Sequence, residues 1–140
     1  MKKRLLLSML LALSTLTFLS GCATSGGRAG KVAKIAGEAA YVATSRHLEQ
    51  FPTHKVRFES VAMELRQMEK AGTYTNKALY DSIGKLPISE LRSEEAIIAF
   101  NDAKVTFESA ETHYQEFVER RDFLSKVVPA IRKGIERGLP

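Results

Sequence analysis

One side chain in this sequence stands apart chemically. Cys22 is the only cysteine among 140 residues, so it has no partner in the chain for a disulfide or a thiolate metal cluster. What it offers is a single sulfur nucleophile. The three histidines, His47, His54 and His113, are the other groups able to bind a metal or move a proton near neutral pH. They form no His-Glu-x-x-His, and no Glu-x-x-His pair of the di-iron bundle type occurs. His47 and His54 are seven positions apart, but Pro52 between them breaks the common helical face. Separate surface or partly buried histidines are the expectation. Gly26-Gly27-Arg28-Ala29-Gly30-Lys31 has the outline of a phosphate loop, but its spacing is one residue short and Val32 stands where the magnesium-binding hydroxyl belongs. There is no Gly-x-Ser-x-Gly elbow. The carboxylate pairs Glu94/Glu95 and Glu108/Glu111 fall on polar helix faces, the first suited to a helix N-terminus. The sequence therefore leads to no catalytic residue, no cofactor and no metal ligand, and a non-enzymatic role is expected.

The surroundings of Cys22 say what its sulfur is for. Met1-Lys2-Lys3-Arg4 is a positive start, followed by Leu5, Leu6, Leu7, Met9, Leu10, Leu11, Leu13, Leu16 and Phe18 with small residues between them. This is the charged and apolar order of an export signal. The apolar run, about 14 residues, is shorter than the ~20 a membrane-spanning helix needs. Leu19-Ser20-Gly21-Cys22 then resembles the lipobox of bacterial lipoproteins. The resemblance covers residues 1–22 and implies that residues 1–21 are cleaved, that Cys22 carries a diacylglycerol thioether, and that its freed amine is acylated, commonly with palmitate. Ala23, not Asp, follows Cys22; in a Gram-negative host this implies the periplasmic face of the outer membrane. The membrane is thus the expected partner, reached through lipid worth ~0.8 kcal/mol per buried CH₂.

Charge has to be recounted once the signal is set aside. Lys2, Lys3 and Arg4 leave with it, so of 21 basic residues 18 remain against 16 acidic, a net charge of +2. The basic character of the whole chain is largely that of the signal, and nucleic acid is not an expected partner. The residues that remain suffice for one domain that buries about 65% of its unfolded surface, with packing as its source of stability.

The positions around these groups are set by helices. Residues 22–30 read as the lipidated cysteine and a small, flexible tether with a reach of roughly 15 Å. Residues 31–140 read as one helical domain, an all-α compact bundle of four or five helices with one long helix in the C-terminal half. Val32, Ile35, Ala36, Ala39, Val42 and Ala43 recur at helical spacing from Lys31 to Gln50, and the many alanines permit close helix–helix approach. Pro52 ends that helix. Phe58, Val61, Ala62, Leu65 and Met68 mark a second, with Thr53 as N-cap and Gly72 closing it. A short third helix over 76–83 is capped by Thr75, and its apolar face is Leu79, Tyr80 and Ile83. Leu86, Ile88 and Leu91 tuck under their neighbours. Residues 73–92 faintly resemble small uncharacterised helical domains of bacteria and phages, which implies no activity.

From Ser93, the residues Phe100, Phe107, Tyr114, Phe117, Leu124 and Val128 suggest one long helix over 94–128, about 52 Å if unbroken. Such a stripe outruns the helices available to cover it. Either it breaks near Arg120-Arg121-Asp122, with Leu124, Val127, Val128, Ile131 and Ile135 forming a cap, or its distal part pairs with a partner or a second copy. Pro129 is expected to kink or end it. The inward set is expected to be Val32, Ile35, Ala39, Phe58, Val61, Leu65, Leu79, Ile83, Phe100, Phe107, Tyr114 and Phe117.

Charge is also uneven along this half. Residues 90–119 hold eight acids against Arg92 and Lys104, whereas residues 120–137 hold six bases against Asp122 and Glu136. A solvated face explains this, and a basic patch on anionic lipid or an acidic partner is the functional alternative. The functional expectation is a lipid-anchored binding or scaffolding module at the cell envelope, with possible self-association through the long helix. The alternative is an envelope enzyme or a small-ligand carrier with its site between helices.

Overall fold

The computed structural model describes residues 25–114 and 116–140, with the backbone alone for Ser25, Gly26 and Phe117. The signal segment 1–21 and Cys22 lie outside the described residues, as does the side chain of Phe117. Five helices follow one another: α1 (Ser25–Gln50), α2 (Lys55–Ala71), α3 (Asn76–Ile83), α4 (Glu94–Glu111) and α5 (Phe117–Gly138). Short 3₁₀ turns at Pro52–His54 and Ile88–Glu90 link α1 to α2 and α3 to α4. Among the described residues there is no strand, and the chain is an all-α bundle.

The centre of the bundle is a parallel pair, α1 against α5. Gly37 faces Ala130 and Gly134, and seven residues further along Thr44 faces Gly138. Glycine is required at this seam. A Cβ on Gly134 would overlap the Gly37 carbonyl oxygen, and one on Gly138 would lie 2.7 Å from the Thr44 Cβ. With no side chain between them, the backbones meet directly. α2 runs antiparallel to α5, with Lys55 donating to the Pro140 carbonyl at one end and Arg132 binding Glu69 towards the other. α4 runs antiparallel to α1: Arg46 pairs with Glu95 near the start of α4, and Tyr114, just past its end, lies beside Arg28 and Ala29. Phe58, Val61, Leu65, Leu79, Phe123, Leu124, Val127, Val128 and Ile135 form the most deeply buried core.

Helix ends follow sequence chemistry in part. Thr75 accepts from the Ala78 N–H at the start of α3, and Ser93 accepts from the Ala96 N–H at the start of α4. Gly72 closes α2 at φ 64°, a left-handed position that favours glycine. Thr53 does not cap α2; it sits inside the 3₁₀ turn, and His54 is the N-cap without a side-chain bond.

Three expectations are corrected. Residues 25–30, read as part of a flexible tether, are the first turns of α1. Their composition is glycine-rich, but Ala29 is only 2% exposed within the core cluster and holds the turn in place. The long helix does break, but between the end of α4 at Glu111 and the start of α5 at Phe117, not near Arg120-Arg121-Asp122. Tyr114 anchors the turn by stacking on Phe123, with ring centroids 4.7 Å apart. The helical phase restarts there, so Phe123 and Leu124 point inward and Arg121 is exposed. Pro129 neither ends nor interrupts α5. A proline inside a helix costs about 3 kcal/mol. Val127, Val128 and Ile135, each 0% exposed, contribute about 1.5–3 kcal/mol apiece by burial, which outweighs it. The residues expected to form a separate cap therefore belong to the main core.

Most of the expected inward residues are buried, but Ile35, Ile83 and Phe100 are half-buried. Two of the six bases of the C-terminal patch, Arg132 and Arg137, are ion-paired within the fold. Arg132 binds Glu69 and Glu136, Arg66 reaches Glu136 at 2.5 Å, and Arg137 pairs with Glu38 at 3.1 Å.

Candidate functional site

The alanines of α1 keep its surface low. Ala40 does so at the α5 seam, where its Cβ would lie 3.0 Å from a Cβ on Gly134. Ala36, Ala39, Ala40 and Ala43 also line the floor of a cavity of about 280 Å³. Leu79 and Ile83 of α3, with Leu86, Ile88 and Leu91 of the segment after it, contribute to its lining. Phe100, Ala103 and Phe107 come from α4, and Phe58, Ile131 and Ile135 from α2 and α5. The partial exposure of Phe100 and Ile83 follows from this, because both border the space.

The cavity is nearly devoid of free polar groups. The Thr44 hydroxyl, 1% exposed, donates to the Ala40 carbonyl oxygen at 2.7 Å and is satisfied within its own helix. Tyr80 edges onto Phe107, centroids 5.9 Å apart, and donates its hydroxyl to Glu111 at 3.3 Å. Partial burial, reinforced by Glu111, pushes its phenol up to about 12, so the hydroxyl stays protonated and neutral. Lys104 is the one cationic residue of the lining. It is exposed, and its ion pair with Glu108 is long, at 3.9 Å. Such a space can hold an apolar body by contact and desolvation, with one positive charge available to orient it.

A second cluster lies where α1 meets α2. His47, 3% exposed, and His54 face each other with Nε2 and Nδ1 2.9 Å apart. Phe51 stacks on His54 and tilts against His47, and Arg92 lies over the Phe51 ring. The expectation that Pro52 separates the two histidines is overturned. The proline starts a 3₁₀ turn that folds His54 back over the end of α1. Burial and the neighbouring His54 push the His47 imidazole below its ordinary value. Glu90, 3.8 Å from His54 and paired with Arg57, supplies the facing carboxylate. His47 Nδ1 is buried without a hydrogen-bond partner. Among the described residues no group of three or more histidine, cysteine or acidic side chains is placed to hold a metal ion. His113 lies apart, exposed in the turn after α4. Glu94/Glu95 and Glu108/Glu111 do not converge on the cavity, although Glu108 reaches Lys104 and Glu111 reaches Tyr80 and Asn76.

No protein family, curated protein or solved structure matches this chain. The reading of its site rests on its own residues.

The cavity was only partly visible in sequence. Leu86, Ile88 and Leu91 read correctly as tucked residues, but what they tuck around did not. The available signal was the surplus of alanines on α1, more than one close helix contact needs.

Proposed function

We propose that this chain is a lipid-anchored binding protein of the bacterial cell envelope, whose helical domain takes up a small apolar ligand between α1, α3 and α4. The cavity of about 280 Å³ over the Ala36–Ala43 floor carries the reading. A core closed to native density leaves few voids much larger than a water molecule, and a space of this size lined almost entirely by hydrocarbon is suited to a ligand. Attachment falls to acyl chains on Cys22, on the strength of the Leu19-Ser20-Gly21-Cys22 lipobox. The start of α1 at Ser25, three positions after Cys22, supports a domain seated directly against the bilayer. Among the described residues no helix is long and apolar enough to cross a membrane. Where the host has an outer membrane, its periplasmic face is the proposed site.

A second reading, docking to a partner protein or a second copy, is favoured by the outer face of α4. Ile98 is 52% exposed and Val105 65% exposed, one heptad apart.

The anchor is tested with radiolabelled palmitate in growing cells. Wild type should incorporate label and fractionate with membranes. Cys22→Ser should incorporate none, since oxygen cannot replace the thiol nucleophile. Equal incorporation by both would overturn the anchor.

A further inference from the structure

The cavity has a length and an opening as well as a volume. Its floor, Ala36 to Ala43, follows the axis of α1 for about 10 Å. The alanine methyls leave a trench there that longer side chains would have filled. Its polar groups are either satisfied, as Thr44 is by the Ala40 carbonyl, or held away, as the Tyr80 hydroxyl is by Glu111. A ligand body with donors or acceptors of its own would leave them unmatched inside, which disfavours polar and heteroaromatic molecules. At ~30 Å³ for each water-sized unit, the volume of 280 Å³ holds about nine methylene-sized groups. Lys104 is the only lysine or arginine between Arg92 and Arg120, and it is the cationic member of the lining. Its position on α4, three residues before Phe107 and four after Phe100, sets a positive charge beside the hydrocarbon.

We propose that the cavity is a binding site for one unbranched medium-chain fatty acid, its hydrocarbon laid along the Ala36–Ala43 floor and its carboxylate at Lys104. This deepens the binding reading above and rests on it. Binding is non-covalent. The chain displaces no ordered polar network, and the carboxylate stays at the solvent edge where its charge remains hydrated.

The test uses the full chain reconstituted in phosphatidylcholine vesicles and a ten-carbon fatty acid bearing a terminal diazirine. After irradiation, label is mapped by peptide mass spectrometry. It should concentrate on the cavity-lining stretches of α1, α3 and α4. Unlabelled saturated acids should compete with affinities that rise by up to about fourfold per added methylene from six to about ten carbons and then level off. Ala39→Leu, which fills the floor, should abolish site-specific labelling while the far-UV spectrum stays helical. Ala43→Met serves the same purpose if that variant does not fold. Lys104→Gln should weaken decanoate severalfold and leave decanol unchanged. Competition by naphthalene but not by decanoate would overturn the fatty-acid assignment and leave an apolar binding site standing. Label spread evenly over the surface, unaffected by either floor substitution, would overturn both.

Discussion

His54 Nδ1 lies 2.9 Å from His47 Nε2 across a proline-started turn. Two facing ring nitrogens at this distance share one proton, so the contact requires at least one imidazole to be neutral. His47 is the buried member, and burial together with His54 lowers its proton affinity in the folded state. The unfolded chain protonates His47 near 6.5, whereas the folded chain resists until a lower pH. Stability is therefore complete above about pH 6.5 and falls as pH drops from there through the folded-state value. Urea melts at pH 7.5 and pH 5 should show the loss. His47→Phe, which keeps a ring beside Phe51 and Phe58, should flatten the dependence. An equal drop in both proteins would assign the effect to other groups.

A seam glycine, Gly134, and an open one, Gly30, predict opposite signs for the same substitution. Gly134→Ala places a methyl into the Gly37 carbonyl, with the Ala40 Cβ 3.0 Å away. The helices must separate, at a cost of about 1–3 kcal/mol. Gly30→Ala, in the first turns of α1, meets nothing within 4 Å and should stabilise by up to about 1 kcal/mol through helix propensity. Denaturant melts of the two variants decide it. A Gly134→Ala protein as stable as wild type would mean that the helices do not meet as closely as described.

The fold was legible where local rules and packing agreed. Periodicity placed α2 within one residue of its observed start, and Thr75, Ser93 and Gly72 marked their helix ends as their chemistry requires. It failed at the α4–α5 turn because residues 112–116 contain neither glycine nor proline. The stripe Phe100, Phe107, Tyr114 runs into the turn without a phase change, and only the Tyr114–Phe123 stack reveals that the chain reverses. It failed at Ser25–Gly30 for the opposite reason. Composition suggested flexibility, and a single buried side chain, Ala29, overrode it. Pro129 failed because a local penalty of fixed size met a larger burial term. The site was the least legible part. A cavity is an absence of side chains at one place in space, and sequence records alanines without recording which neighbours stop short of them.

The turn at 112–116 changes what a charge on the C-terminal stripe would report. Leu124 is 0% exposed, so Leu124→Asp buries an unpaired carboxylate, costs several kcal/mol and should unfold the domain, not split a dimer. Val105, 65% exposed on α4, is the position that separates the two modes of binding. Val105→Asp should change stability by no more than about 0.5 kcal/mol. Sedimentation of residues 23–140, which include every core residue from Ala29 to Ile135, should give a monomer at micromolar concentration for wild type and Val105→Asp alike. That result supports a domain whose apolar stripe is covered within its own bundle, chiefly by α1. A wild-type dimer that Val105→Asp converts to a folded monomer would instead make the outer face of α4 an interface and favour the docking reading over the carrier.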